Sequence, residues 1–564
     1  MLMSRRTLLA ATAAGVAAPL LSQPALATRI KAFVDDYQTN LTTNLTPETN
    51  AAVRVLSGLG AYWRTGTAWN NGTVLDRSTL RANMRFCETR TASRTAAEGA
   101  RAFVVDRQHQ SHAVIAGLGP WSDAYKSAAL AVTGITEAPA TTPATTVSDF
   151  VPAGAPAGAT LGAGSPTSSL GQIVTLVNTV RGNWSSSNPS KFAFQYPRPW
   201  RMTTDSTVID TGAVDEFGFP VYRSKVVVVP QLLRQRGTTP ADDGGFPSGH
   251  TNALFLAALS FAYAFPEQYQ ELLTAAFDLA DTRITAGMHS PLDVVSGRIL
   301  ATALAAAILN DPANTALKTA ARAQAVDFLA TASQSAPGPY GDRVANRRSI
   351  VPRLTYILPR TGRDRPLTVP KGAEVLLETR QPYLTAAQRR AVLRSTALPG
   401  GYALLDGPEQ WGRLDLFTAA DGYGAFASDV DVTLDGQADT WRNDISGPGG
   451  QTLRGSGVLT LSGANRFRGG VRILGGTLIA ASSRALGDGD LEIRGGTLRA
   501  REVDARNVVI GAGSTLEVTA DKPGLLTVID AKRVRGRFAQ VSAPGFRAEA
   551  VYTRSAVQVR VRRA

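Results

Sequence analysis

The chain has 564 residues, 44% of them hydrophobic and 18% charged, so it is long enough for two or more globular domains and too apolar to be disordered. Its net charge of +14 favours anionic ligands and surfaces, but no nucleic-acid recognition motif accompanies the charge and no nucleic acid is expected as a partner. The single cysteine, Cys87, excludes an internal disulfide, leaves no thiolate zinc cluster, and reads as a small buried hydrophobe.

In chain order, Ser4-Arg5-Arg6-Thr7-Leu8-Leu9 precedes an apolar Ala/Leu stretch and the Ala25-Leu26-Ala27 cleavage pattern. Residues 1–27 therefore read as a twin-arginine signal peptide, with a mature chain starting near Thr28 and a periplasmic or secreted bacterial location. From Arg29 to Ala131 apolar residues recur at helical spacing. Residues 136–171 are rich in Ala, Pro, Thr, Gly and Ser. Pro139, Pro143, Pro152, Pro156 and Pro166 forbid a regular helix there, so this reads as a flexible insertion within one domain.

Helical patterns resume from Leu170 to about Leu329, strongest over Thr251–Phe265 and Pro291–Leu309. The most apolar runs, Ala253–Phe265 and Ile299–Leu309, are shorter than the roughly 20 residues that cross a bilayer, so both read as packed core helices with no transmembrane segment in the mature chain. A polar, Pro-rich stretch leads to a short helix at Ala386–Arg394, and Trp411–Ala425 closes the helical domain, expected to span residues 28–430.

Past Asp431 helical periodicity gives way to Gly-punctuated strands. Leu474-Gly475-Gly476-Thr477-Leu478 recurs as Arg494-Gly495-Gly496-Thr497-Leu498, and short strands repeating at about 20 residues predict a right-handed β-solenoid over 431–564. The run from Leu459 to Leu478 carries a resemblance to the autotransporter-associated β-strand repeat of bacterial surface proteins. Autotransporters end in a membrane β-barrel, and the Val557–Ala564 tail does not read as one, so a solenoid without its own barrel is expected, with room for contact with the cell envelope.

Three short motifs occur in order within the helical domain. The first is Lys191, six residues, then Arg198-Pro199; the second is Pro247-Ser248-Gly249-His250; the third is Thr282-Arg283, then His289 and Asp293. A transferring phosphoryl group spreads negative charge over three oxygens, and positioning and charge stabilisation do most of the catalysis. Lys191, Arg198 and Arg283 supply cations, Gly249 lets backbone N–H approach a phosphate, and Ser248 can add a hydroxyl donor.

Together the motifs resemble the signature of the PAP2 superfamily: class A non-specific acid phosphatases, lipid phosphate phosphatases and vanadium haloperoxidases. The resemblance implies an all-α bundle. It also implies that His289 is the nucleophile, His250 the general acid, and Asp293 the group that orients the His289 ring. One departure stands out, Thr282 where the family usually has Ser; a hydroxyl is kept, so a minor effect is expected. No cofactor is expected, and no metal-ligand spacing is present.

Structural alternatives stand beside these roles. Ser290-Pro291-Leu292-Asp293 also spells a helix capping box. His250 alone could be a surface histidine in a Gly-rich turn, and Arg283 a helix-face charge. His109 and His112 carry no motif and read as ordinary surface residues, and Asp242-Asp243-Gly244-Gly245 reads as a turn supporting the second motif.

The leading expectation is a metal-independent acid phosphatase that hydrolyses small phosphate monoesters through a phosphohistidine. One alternative is a vanadate-dependent haloperoxidase, since the same cage binds vanadate. Another is a surface adhesin or display protein with a vestigial phosphatase domain. A lipid phosphate phosphatase is disfavoured, because those relatives keep the site on membrane-spanning helices.

Overall fold

The computed structural model describes residues 30–564. The signal peptide, its cleavage site and the start of the mature chain all lie outside the described residues.

The helices that build the site and its surroundings include α1 (Arg77–Ser93), α2 (Ala96–Arg107), α3 (Gly171–Val180), α4 (Asn188–Phe194), α5 (Gly249–Ala264), α6 (Tyr269–Thr285), α7 (Pro291–Asn310) and α8 (Thr315–Thr331). A helix apolar on every face must be surrounded by protein, and α5 and α7 are the two that meet this description. Every residue of α7 from Pro291 to Leu309 is buried. It packs on α5, which also receives α3 and α6, while α1 and α2 lie against α6. At 20 residues α7 is longer than the apolar run read from sequence and is long and apolar enough to cross a membrane, so length does not decide its place. Its apolar window is wholly buried inside the protein.

The starts of α5 and α7 are pinned side by side. Ser248 caps α5 and Ser290 caps α7, and the Ser248 N–H donates to the Asp293 carbonyl at 2.9 Å. Gly297, one turn further along α7, allows this approach: a Cβ there would sit 2.7 Å from the Ser248 carbonyl oxygen.

Residues 136–171 carry no helix before Gly171 and lie against the helical body. Arg107 donates to the Val147 carbonyl at 3.0 Å, Asp149 accepts from Thr133 and from the His109 N–H, and the Tyr125 hydroxyl donates to the Ala163 carbonyl.

From Val430 the chain coils into a β-solenoid. In one column Val430–Leu434, Gln451–Gly455, Val471–Ile473 and Leu491–Ile493 pair in parallel; in the other, Ala438–Trp441, Val458–Leu461, Thr477–Ala480 and Thr497–Ala500 do so. Inward-facing Leu453, Ile473, Ile493, Leu459, Leu478 and Leu498 stack as a continuous apolar core. The recurring Gly-Gly-Thr-Leu has a steric cause. Gly476 and Gly496 adopt φ of 70° and 69°, and a Cβ on Gly496 would lie 2.5 Å from the Gly476 carbonyl oxygen. Buried Asn465 accepts from the Ile445 N–H at 2.8 Å and donates to the Ala485 carbonyl at 2.7 Å, tying one rung to those on either side.

Parallel stacking continues through Val503–Val518 to Gly524–Gly536 and then changes. Ala556–Arg563 pairs antiparallel with both Gly524–Gly536 and Phe546–Tyr552. The regular rungs thus stop short of residue 564, and a hairpin covers the open edge that further rungs would have used.

The first rung is built into the helical half. The Trp441 ring packs against Tyr423 and Phe426, with ring centroids 5.3 and 6.3 Å away, and its indole N–H donates to the Tyr383 hydroxyl at 2.8 Å. Arg380 clamps Asp439 with two bonds of 2.9 Å, and Arg442 meets buried Asp421 at 3.1 Å. Trp441→Ala should therefore lower stability by about 3–5 kcal/mol, the usual cost of emptying a buried tryptophan socket. Urea unfolding of the full chain checks this, and a loss below about 1 kcal/mol would mean that the junction does not depend on the socket.

Candidate active site

Each motif arrives on a different element. Lys191 sits on α4, and Arg198 directly precedes the short turn Pro199–Arg201. Ser248, Gly249 and His250 form the start of α5, and Arg283 lies in the last turn of α6. His289 occupies the connection from α6 to α7, and Asp293 lies in the first turn of α7.

The fold gathers all of them. Arg198 Nη1 is 3.0 Å from His289 Nε2, and His289 Nδ1 is 3.4 Å from Asp293 Oδ2. Lys191 Nζ donates to the Gly244 carbonyl at 2.7 Å, and a Cβ on Gly249 would meet Lys191 Cε at 3.9 Å and Ser187 Oγ at 3.0 Å. The Met288 and His289 N–H groups both bond back to the Arg283 carbonyl, closing the turn that presents the His289 ring. Lys191, Arg283, His289 and Asp293 are buried, while Arg198, Gly249 and His250 stay partly open.

Hydrogen-bond direction assigns both histidine tautomers. A guanidinium can only donate, so His289 Nε2 beside Arg198 carries a lone pair, and the ring proton of the neutral form is on Nδ1, facing Asp293. A carbonyl can only accept. His250 Nε2, 3.0 Å from the Asp106 carbonyl oxygen, therefore carries the proton and leaves Nδ1 as the free nitrogen.

The electrostatics follow from burying several cations together. Burial, then Arg198, Lys191, Arg283 and His250, push the His289 pKa well below its ordinary value. His250 is lowered to about 3 by burial and by Arg107, Arg198, Lys191 and Arg181. Burial and then Arg198 bring Lys191 down to about 7, and burial alone brings Arg283 to about 9. Burial raises Asp293 to about 7 against two hydrogen bonds from Ser290. Lowered pKa values on Lys191, His250, Arg283 and His289 mark a site that favours a bound anion, which would restore the protonated forms.

The capping alternative for Asp293 holds alongside the catalytic geometry. Its Oδ2 accepts from the Ser290 N–H at 2.7 Å, and its own N–H bonds Ser290 Oγ, completing a capping box. The same oxygen faces His289 Nδ1. Ser248 Oγ is occupied as an acceptor for the Thr251 N–H and hydroxyl, and its own proton remains to be donated. The Thr282 hydroxyl turns away into its helix and donates to the Leu279 carbonyl at 2.6 Å.

Two carboxylates outside the motifs complete the site. Asp243 pairs with Arg198 at 2.5 Å and with Arg201 at 3.0 Å; burial opposes its ionisation, but Arg198, Arg201 and Lys191 outweigh burial and hold its pKa low. The Asp-Asp-Gly-Gly stretch is thus a charge partner as well as a turn. Asp106, at the end of α2, pairs with Arg283 and Arg107 through its carboxylate and with His250 through its carbonyl. Asp243 precedes the second motif by a few residues and was within reach of sequence reasoning, whereas nothing around Asp106 marks it. His109 and His112 are not the surface residues expected: both are partly buried, and the His109 ring lies 3.3 Å from Arg181. Asp106→Ala should cost about 3–5 kcal/mol, because it strands two arginine charges. A thermal or urea midpoint that matches the wild type would contradict this assignment.

Residues 169–315, which contain all three motifs, match the PAP2 superfamily, and residues 452–480 match the passenger-associated-transport-repeat. The non-specific acid phosphatase of Salmonella typhi is 41% identical over 56 residues, covering 10% of this chain and 22% of that protein. The Neisserial autotransporter lipoprotein NalP of Neisseria meningitidis serogroup B is 35% identical over 113 residues, 19% of this chain and 10% of its own length. An extracellular serine protease of Serratia marcescens is 29% identical over 151 residues, 20% of this chain and 14% of the protease. The chain thus spans between 10% and 22% of the length of these relatives. The helical half of the chain carries a PAP2 superfamily domain at residues 169–315, and the solenoid behind it carries an autotransporter-associated repeat at residues 452–480.

Proposed function

We propose that this chain is an exported phosphatase that hydrolyses phosphate monoesters through a phosphohistidine on His289. One observation carries the reading: the His289 Nε2 lone pair faces a guanidinium at 3.0 Å in a buried cluster with Lys191 and Arg283. A phosphate held there would bind to the three cations and to the start of α5, where Gly249 admits the backbone N–H groups and the helix dipole adds positive potential.

In the first step His289 Nε2 attacks phosphorus while Asp293 holds the proton on Nδ1 and stabilises the imidazolium that forms. His250 delivers a proton from Nδ1 to the leaving alkoxide, with Nε2 anchored on the Asp106 carbonyl. Water then attacks the phosphohistidine, and His250 Nδ1 takes its proton. Export is supported by the leader-like first 27 residues, the passenger-type repeat and the extracellular and autotransporter relatives.

The test is purified protein assayed with p-nitrophenyl phosphate, followed by trapping of labelled phosphoenzyme under alkaline conditions, where a phosphohistidine is stable, with loss of the label in acid. His289→Ala is expected to lose both turnover and label, and near-normal activity in that variant would overturn the mechanism. Strong bromide oxidation with vanadate and peroxide, alongside negligible phosphate release, would favour the haloperoxidase alternative instead.

His250→Ala should lose roughly 10²–10⁴-fold on alkyl phosphates and far less on p-nitrophenyl phosphate, whose leaving group needs little proton help. A pH series adds a sharper measurement. His250 is protonated only near and below its folded pKa of about 3, so the acid is lost as pH rises. Asp293, raised to about 7, must ionise for either substrate and cancels in a ratio. The kcat/KM ratio of alkyl to aryl phosphate should thus fall about tenfold per pH unit between pH 4 and pH 6. A ratio independent of pH would remove His250 from the acid role.

A further inference from the structure

We propose that Arg181 and Arg107 form a second anion subsite beside His250, and that it receives a phosphoryl group carried by the leaving group, so that diphosphates are preferred over simple monoesters. This deepens the phosphatase reading and rests on it.

Arg181 follows directly on α3, and its guanidinium is held by neutral partners. Nη1 donates to Ser111 Oγ at 2.6 Å and faces the His109 ring nitrogens at 3.3 and 3.4 Å, and Nη2 donates to Gln110 Oε1 at 3.2 Å. Among the described residues Arg181 forms no ion pair, unlike Arg107, Arg198, Arg201 and Arg283, each of which meets Asp106 or Asp243. A half-buried guanidinium without a counter-charge pays part of its desolvation cost and stays open to solvent, so a ligand anion can reach it and supply the missing charge.

The position of Arg181 places that anion next to the leaving group. The short helix Gln110–Val114, which presents Ser111 and Gln110, packs against α5, whose first turn carries His250. Arg107 neighbours Asp106, whose carbonyl anchors His250, and it is fixed by Val147 and Gln235 at 3.0 and 2.8 Å. The charge effects agree with this placement: burial, Arg107, Arg198, Lys191 and Arg181 lower the proton affinity of His250, whereas the main causes at His289 are burial, Arg198, Lys191, Arg283 and His250. The coil before α3 walls this side, since Gly162, with φ of 78°, lies so close that a Cβ would meet the His109 ring at 2.8 Å.

The chemistry balances without a strong acid. The His289 Nε2–phosphorus bond forms as the bridging oxygen–phosphorus bond breaks, and the bond pair leaves with orthophosphate, a stable anion that Arg181 and Arg107 stabilise. Water then attacks the phosphohistidine, its proton passes to His250, and a second orthophosphate is released. One pyrophosphate and one water give two orthophosphates. A leaving group that needs no proton also suits a His250 surrounded by cations.

The experiment pairs binding with turnover. The His289→Ala protein is titrated by calorimetry with inorganic pyrophosphate and with orthophosphate, and again with Arg181→Gln or Arg181→Lys added. The second phosphoryl group should tighten binding roughly tenfold or more, as charge-assisted hydrogen bonds do. Arg181→Gln should remove that advantage, and Arg181→Lys should keep part of it. In the otherwise unaltered enzyme, Arg181→Gln should lower the kcat/KM ratio of pyrophosphate to p-nitrophenyl phosphate by a similar factor. Equal affinity for the two anions, or an equal loss for both in Arg181→Gln, would overturn the subsite. A protein that hydrolyses p-nitrophenyl phosphate but shows no pyrophosphate preference refutes the subsite and keeps the phosphatase reading. Selective pyrophosphate binding without any hydrolysis keeps the subsite and refutes the phosphatase reading.

Discussion

Two carboxylates, Asp106 buried and Asp243 half-buried, make the cationic site tolerable. Asp243 links Arg198 to Arg201, and Asp106 links Arg283 to Arg107, so each acid ties one arginine of the cluster to one outside it. Like charges this close would repel strongly at the low effective dielectric of a protein interior. The acids reduce that repulsion while Lys191 keeps its own bond to the Gly244 carbonyl and Arg198 faces His289. Burial and the surplus of positive charge that remains lower the proton affinity of Lys191, His250 and His289. The same surplus defines what the site is built to accept, a compact multivalent anion.

The second constraint is the alignment of two helix starts. α5 and α7 begin next to each other because Ser248 bonds the Asp293 carbonyl and Gly297 carries no side chain at their crossing. Their apolar bodies pack through the core of the domain, so the positions of His250 and Asp293 are inherited from rigid elements. Asp293 serves both structure and site: one oxygen completes the cap of α7 and faces the His289 ring from the same position. The structural and catalytic readings of this residue are therefore one arrangement. The cap holds the carboxylate still, and a still carboxylate is what an orienting group requires.

The solenoid is joined to this body by packing and by charge. Trp441 enters a socket of Tyr423, Phe426 and Tyr383, and Asp421 and Asp439 meet arginines across the same junction. The solenoid is thus rooted in the residues that end the helical part, and its closing hairpin leaves fewer unpaired backbone groups than an open rung would.

Local rules were enough to make much of this readable. Helical spacing located the core helices, and the recurring Gly-Gly-Thr-Leu pointed to stacked rungs because glycine is required wherever φ is positive beneath a neighbouring carbonyl. The three motifs named the eight candidate site residues, since phosphate chemistry restricts which residue types can serve. Tertiary structure decided what depends on residues far apart in sequence. Asp106 reaches Arg283 across a sequence separation of 177, and no periodicity or motif encodes such a pairing. The inward placement of Arg181 and His109, the backward turn of the Thr282 hydroxyl, and the wholly buried environment of a helix long enough to span a membrane were likewise set by packing. Sequence specified the chemistry that each residue could perform; the fold determined which charges share one dielectric environment, and hence which nitrogen of each histidine is free to react.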